Sequence, residues 1–131
     1  MNIFKEIKYF VQRGKRGYSD RDLWSINDHI ADIIIGAVRW QKDNGMGCPS
    51  EYFDDKNKNN ECEKWGEILE EIAQGLEAYK EITEHKYSFN WKENDKVGYK
   101  YEYDPKRNKQ LTAKFNKGMG LFTKHFFSLW D

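Results

Sequence analysis

The sequence contains no apolar run approaching the roughly 20 residues that a bilayer crossing needs, so a membrane-spanning helix is excluded. It opens on neither an apolar signal stretch nor a small-residue cleavage site, so the cytosol is the expected location, with no membrane partner. It carries no net charge, with 22 Lys and Arg against 22 Asp and Glu. That removes the global electrostatic drive of a general nucleic-acid binder and leaves local patches only. Cysteine is nearly absent. Cys48 and Cys62, separated by a loop, make no zinc pattern, and in a cytosolic protein they are expected as reduced thiols. There is no Gly-rich nucleophile elbow, so neither cysteine nor serine catalysis is supported. Internal repeats are also missing. Aliphatic residues are few and 34% of the chain is charged, a balance that would suit disorder. The 16% of aromatic residues, five of them Trp, point the other way, because each buries a large area.

At 131 residues the chain suits one domain with a small aromatic core. Residues 2–12 carry Ile3, Phe4, Ile7, Phe10 and Val11, a helical stripe that Gly14 is expected to end. Residues 13–18 then read as a basic connection hinged at Gly14 and Gly17. Ser19 is the expected N-cap, with Asp22 three residues on as a capping-box partner; Ser25 with Asp28 is a second candidate. A short turn over 20–24 leads into a helix from about 26 to 42. On it Ile26, Ile30, Ile33, Ile34, Ala37 and Trp40 share one face and Ile35 lies opposite, as in a central core helix.

Residues 43–60 are poor in apolar side chains and read as a long loop with one aromatic anchor at Tyr52-Phe53. The next helix, about 61–84, sets Trp65, Ile68, Leu69, Ile72, Leu76 and Tyr79 at helical spacing. Between Glu61 and Glu84 it carries eight Glu against two Lys. Tyr87, Phe89 and Trp91, then Tyr99, Tyr101 and Tyr103, alternate on either side of a polar turn at 92–95, the pattern of a β-hairpin inserted at about 86–104. The last helix, about 106–130, aligns Leu111, Phe115, Met119, Phe122, Phe126 and Leu129 or Trp130. From Lys106 to Lys124 it has six basic residues and no acid, so it should pack beside the acidic third helix. The fold class is therefore mainly α: a small bundle of about four helices with an inserted β-hairpin.

Three segments resemble a widespread family of small, functionally uncharacterised bacteriophage proteins. The first is Arg16-Gly17-Tyr18-Ser19-Asp20-Arg21-Asp22-Leu23-Trp24, followed by Asn27, His29, Ile30 and Ala31. The second is Trp65-Gly66-Glu67-Ile68-Leu69, leading into Ala73 and Leu76. The third is Gly118-Met119-Gly120-Leu121-Phe122-Thr123-Lys124-His125-Phe126-Phe127-Ser128-Leu129-Trp130. Together they cover about half of the chain, and the 84–108 insert departs from the pattern. The resemblance implies a phage gene product in the host cytoplasm. It brings no catalytic residues.

The segment from Arg13 to Trp24 is the candidate site, and two readings of it stand. In the structural one, Tyr18 and Trp24 pin a corner while Asp20 or Asp22 receives Arg16 and caps the helix. In the functional one, Arg13 and Arg16 grip phosphate, Tyr18 and Trp24 stack on a base, and Asp20 or Asp22 orients the ligand. The acids of the third helix raise a magnesium-dependent alternative, because Glu67-x-x-Glu70 and Glu81-x-x-Glu84 are similar to the paired acids of all-α nucleoside triphosphate pyrophosphatases. With Trp65 at 0°, Glu67, Glu70, Glu71 and Glu81 fall at roughly 140° to 240°, away from the apolar face, which favours a solvated surface. Asp28 and Asp32 lie on the polar side of their helix. His29, at the margin of its apolar face, reads as a hydrogen-bonded packing histidine, and His85 and His125 make no metal motif.

The expectation is a non-enzymatic phage accessory protein, without cofactor, that sequesters an anionic small molecule such as a nucleotide-derived signal of host defence. The alternatives are a module that binds a host or phage protein through the aromatic hairpin, and the magnesium-dependent pyrophosphatase. Ile35 and the hairpin suggest a homo-oligomer.

Overall fold

The computed structural model describes residues 2–45, 47–52, 62–86, 89–91, 99–101 and 105–130, with the backbone alone for 85–86 and for 89–91 and 99–101. The fold class is mainly α. The described residues form four helices: α1 (Ile3–Arg16), α2 (Ile26–Asn44), α3 (Glu63–Lys86) and α4 (Pro105–Lys124). Short 3-10 turns occupy Asp22–Ser25, Ser50–Tyr52 and Phe126–Ser128. Two short strands, β1 (Phe89–Trp91) and β2 (Tyr99–Tyr101), pair antiparallel with Phe89 opposite Tyr101 and Trp91 opposite Tyr99. The rest of the expected 86–104 insert, including the turn at 92–95, lies outside the described residues, as do Phe53 and the His85 side chain.

The chain divides into two compact units, Met1–Ile34 and Ile35–Asp131. In the first, the Asn2 side chain caps α1 by accepting from the Phe4 N–H at 3.1 Å. Contrary to the sequence expectation, Gly14 does not end this helix. α1 continues to Arg16, and Gly17 takes the left-handed conformation at φ 85°, donating its N–H to the Arg13 carbonyl at 2.9 Å. An internal glycine costs a helix about 1 kcal/mol, too little to stop it, whereas a left-handed cap favours glycine. The Ser19 cap is present: Ser19 N–H donates to Asp22 Oδ2 at 2.8 Å, and Asp22 N–H returns to Ser19 Oγ at 3.3 Å. Ser25 instead belongs to the 3-10 turn that runs straight into α2.

In the second unit α3 is the central element. Trp65, Ile68, Leu69, Ile72, Ala73, Leu76 and Ala78 are buried, and Leu111 of α4 joins them. The expectation that α2 is the core helix is corrected. Ile30, Ile33 and Trp40 are exposed, while the smaller Ala31 and Val38 are buried. Periodicity shows which residues share a face but not whether a neighbour meets that face.

Helices α3 and α4 approach closely where two glycines meet. A Cβ added to Gly75 would lie 2.9 Å from Gly118 Cα and 3.0 Å from the Lys114 carbonyl oxygen. One added to Gly118 would lie 2.9 Å from the Glu71 carbonyl oxygen. The expected acidic-against-basic pairing is present along this contact, with Arg107 donating to Glu81 at 3.0 Å and Lys117 3.3 Å from Glu71. On the other flank, Arg39 of α2 bridges Glu70 and Glu77, and Lys42 reaches Glu70 at 2.8 Å. Arg39 first, then Lys42, holds the Glu70 carboxyl at about 2.

Two further expectations change here. Cys48 and Cys62 are joined in a disulfide, with Cα atoms 5.6 Å apart, rather than free. The spacing rules that argue against zinc do not forbid a bridge, which needs only that the two α-carbons come within reach of each other. Of the expected anchor, Tyr52 stacks on Trp65 at 6.1 Å and its hydroxyl is 3.1 Å from Nε2 of the buried His125. Burial first, then the Glu51 charge, pushes the Tyr52 phenol up. The last helix stops at Lys124, short of residue 130, and leaves Phe126 and Trp130 exposed rather than on a core face.

Candidate functional site

The candidate residues are built into the junction between α1 and α2, within the first unit. Gly17 turns the chain after α1 and the Ser19–Asp22 cap starts the next turn, so Tyr18 and Asp20 fall between two fixed helix ends. Lys8, Gln12 and Arg16 recur at a spacing of four along α1 and form one row. That row converges on Asp20. Gln12 donates through Nε2 to Asp20 Oδ2 at 2.8 Å and accepts the Asp20 N–H at 2.9 Å. Arg16 donates to Asp20 Oδ1 at 2.5 Å, and Lys8 lies 3.4 Å from Oδ2. Arg16 also donates through Nε to the Tyr18 carbonyl at 2.9 Å, with its guanidinium 4.6 Å from the Tyr18 ring centroid.

Asp22 is the second hub. Arg13 grips it with two bonds, Nε to Oδ2 at 2.9 Å and Nη2 to Oδ1 at 2.6 Å, the planar fork that guanidinium favours. Oδ2 also accepts the Ser19 N–H, and Ser19 is fully buried. His29 stands beside them, its Nε2 2.8 Å from the Gly17 carbonyl and its Nδ1 3.8 Å from Asp22, which fits a packing histidine. An Arg21–Glu6 ion pair, with Arg21 4.6 Å above the Tyr9 ring, ties the turn to α1 a second time.

Five of the six candidates are thus brought together, and the arrangement is first of all structural. In the Arg13–Asp22 pair the carboxylate is closed off, with 9% of the Asp22 side chain exposed, while Arg13 is 50% exposed. In the Arg16–Asp20 pair the carboxylate is open, with Asp20 47% exposed and Arg16 39%. Trp24 does not pin the corner: its indole is 90% exposed. Sequence reasoning missed Gln12, Lys8, Arg21 and Glu6. The four-residue spacing of Lys8, Gln12 and Arg16 was the available signal.

The charges tune one another. Arg13, followed by the Ser19 N–H, holds the Asp22 carboxyl well below the usual carboxylate range. Gln12, followed by Arg16, brings Asp20 down to about 2. Both folded values lie below the unfolded value near 4. The stabilisation is therefore present above about pH 4 and is lost progressively as the pH falls, by about 2 for Asp20 and lower still for Asp22. We expect the Ser19 amide to lose its exchange protection over that window. In Asp22→Ala, which removes the acceptor, the protection should already be lost at neutral pH, and in Asp20→Ala it should survive. Equal protection in both variants would show that Asp22 is not the cap.

The acids of α3 sit elsewhere in the chemistry. Glu70 and Glu81 are held by Arg39, Lys42 and Arg107, and Glu67 lies 3.7 Å from Lys64. Among the described residues no group of three His, Cys, Asp or Glu side chains is placed to hold a metal ion. No helix among them is long and apolar enough to cross a membrane. Comparison with family models, with curated proteins and with solved structures found no match to this chain.

Proposed function

We propose that this chain is a phage accessory protein that binds an anionic small molecule of nucleotide type at the α1–α2 corner and holds it without turning it over. The observation that carries this reading is the open Arg16–Asp20 pair beside the Tyr18 ring. An exposed ion pair contributes little, so a multiply charged phosphate can displace Asp20 from Arg16. Arg13 and Asp22 keep the corner in shape and flank the site. Tyr18 offers a stacking surface, and the exposed Trp24 indole a second one. Sequestering a nucleotide-derived defence signal would need no chemistry beyond this.

The test is to equilibrate the purified chain with a nucleotide mixture, denature it, and identify what is released. Intact ligand in stoichiometric amount is expected. Arg16→Ala should lower retention at least ~10-fold, about the contribution of a hydrogen-bonded charge, and Asp20→Asn should raise it by removing the competitor. Nothing retained would end the small-ligand reading. Altered nucleotide would point instead to the magnesium-dependent hydrolase.

A second reading is a protein-interaction module that engages a host or phage protein through the aromatic insert at 86–104. Its support is the sequence alternation together with the pairing of Phe89 with Tyr101 and Trp91 with Tyr99. Loss of partner capture on replacing Trp91 and Tyr99, with ligand retention unchanged, would favour it.

A further inference from the structure

Helix α1 carries an apolar face that its own unit leaves open. Phe4 and Phe10 are 80% and 77% exposed, Ile3 and Ile7 67% and 55%, and Val11 44%. Gly14 lies in the same stripe, inside the helix, with nothing within 4 Å of where its Cβ would be. An internal glycine weakens a helix, and no contact in this unit uses the space it leaves.

We propose that α1 pairs antiparallel with α1 of a second copy of this chain. Ile3, Ile7, Phe10 and Gly14 recur at spacings of four, three and four, the seam of a two-helix coiled coil. In the antiparallel register Ile7 of one copy lies opposite Phe10 of the other, and Ile3 lies opposite Gly14. Large side chains then meet small ones, which is how facing layers interdigitate. Phe4 and Val11 flank one side of the seam. Glu6 and Arg13 flank the other, so each meets its opposite charge in the second copy and extends the Glu6–Arg21 and Arg13–Asp22 pairs into a network. The five side chains expose roughly 600 Å² per copy, between a crystal contact and the ~800 Å² of a standard interface. This pairing is independent of the ligand reading above.

The experiment is light scattering on the full chain from about 1 to 200 µM, a range in which an association of micromolar strength changes the mass. The mass should rise from 15.7 kDa toward twice that value. Ile7→Glu and Phe10→Lys should each hold it at 15.7 kDa while circular dichroism shows unchanged helix. Gly14→Ile should weaken association at least ~10-fold, and the exchange Ile3→Gly with Gly14→Ile should restore it, because the same layer is rebuilt with its sizes reversed. Three results would overturn the proposal. One is a monomer across the whole range, and another is association unchanged in both seam variants. The third is a chain that stays monomeric in buffer yet sediments with phosphatidylglycerol vesicles, which would assign the face to lipid.

Discussion

Replacing Gly118 with Val should lower the stability of the second unit by about 3 kcal/mol or more, at the upper end of what overpacking costs. The first added carbon already lies 2.9 Å from the Glu71 carbonyl oxygen and from Gly75 Cα. Both are backbone atoms in a neighbouring helix, so no flexible side chain can give way. The helices must separate, and the burial of Leu111 against α3 loosens with them. Gly120 provides the control two residues further along α4, with nothing within 4 Å of its would-be Cβ. Gly120→Ala should therefore gain a few tenths to 1 kcal/mol by restricting the unfolded chain and favouring helix. Two glycines in one helix are thus expected to respond with opposite signs. Thermal and urea melts of the three proteins measure this, and a Gly118→Val melt overlaying the wild type would show that the close approach does not exist in solution.

Leu69→Ala should cost about 3–4 kcal/mol, within the range for deleting a buried leucine from a core that cannot collapse. Leu69 is fully inaccessible and sits between Ile68 and Ile72 on the helix that supplies most of the core. Leu69→Met keeps the volume and should cost less than about 1.5 kcal/mol. Ile33→Ala on α2 removes a side chain that is 52% exposed, so its effect should stay below about 1 kcal/mol. This ordering separates two pictures of the molecule. A larger loss at Ile33 than at Leu69 would return the core to α2, where the isoleucine-rich stripe suggests it lies. Urea midpoints, compared at unchanged denaturant sensitivity, decide between them.

Much of the secondary structure is legible without coordinates. The 3.6-residue recurrence from Trp65 to Leu76 marks α3, and its burial agrees with the face that the spacing defines. The Ser19–Asp22 cap follows from the residue types alone, because a short oxygen-bearing side chain satisfies a free N–H at a helix start. The candidate corner was visible as a cluster of residue types, but its bonding was not. Whether Arg13 or Arg16 takes Asp20 or Asp22 depends on the pitch of α1 and on which glycine turns the chain. With the turn at Gly17, Arg13 and Arg16 fall on different rows of the helix and reach different acids. Had Gly14 ended the helix, both would have belonged to a loop with no set spacing.

What the sequence by itself determined is local: where helices form, how Ser19 and Asp22 begin one, and which residues share a face. These depend on backbone dihedrals and on neighbours within a turn or two, and such information is written contiguously in the chain. The tertiary structure alone decided which faces are buried, that Cys48 meets Cys62, that Gly75 lies against Gly118, and that Trp24 stands clear of the corner. Each of these is a meeting, or a missed meeting, between side chains whose separation is set by helix length and crossing. On α2 the smaller Ala31 and Val38 hold the buried positions while Ile30 and Ile33 stay exposed, because close approach rewards shape at the point of contact more than hydrophobicity along the stripe.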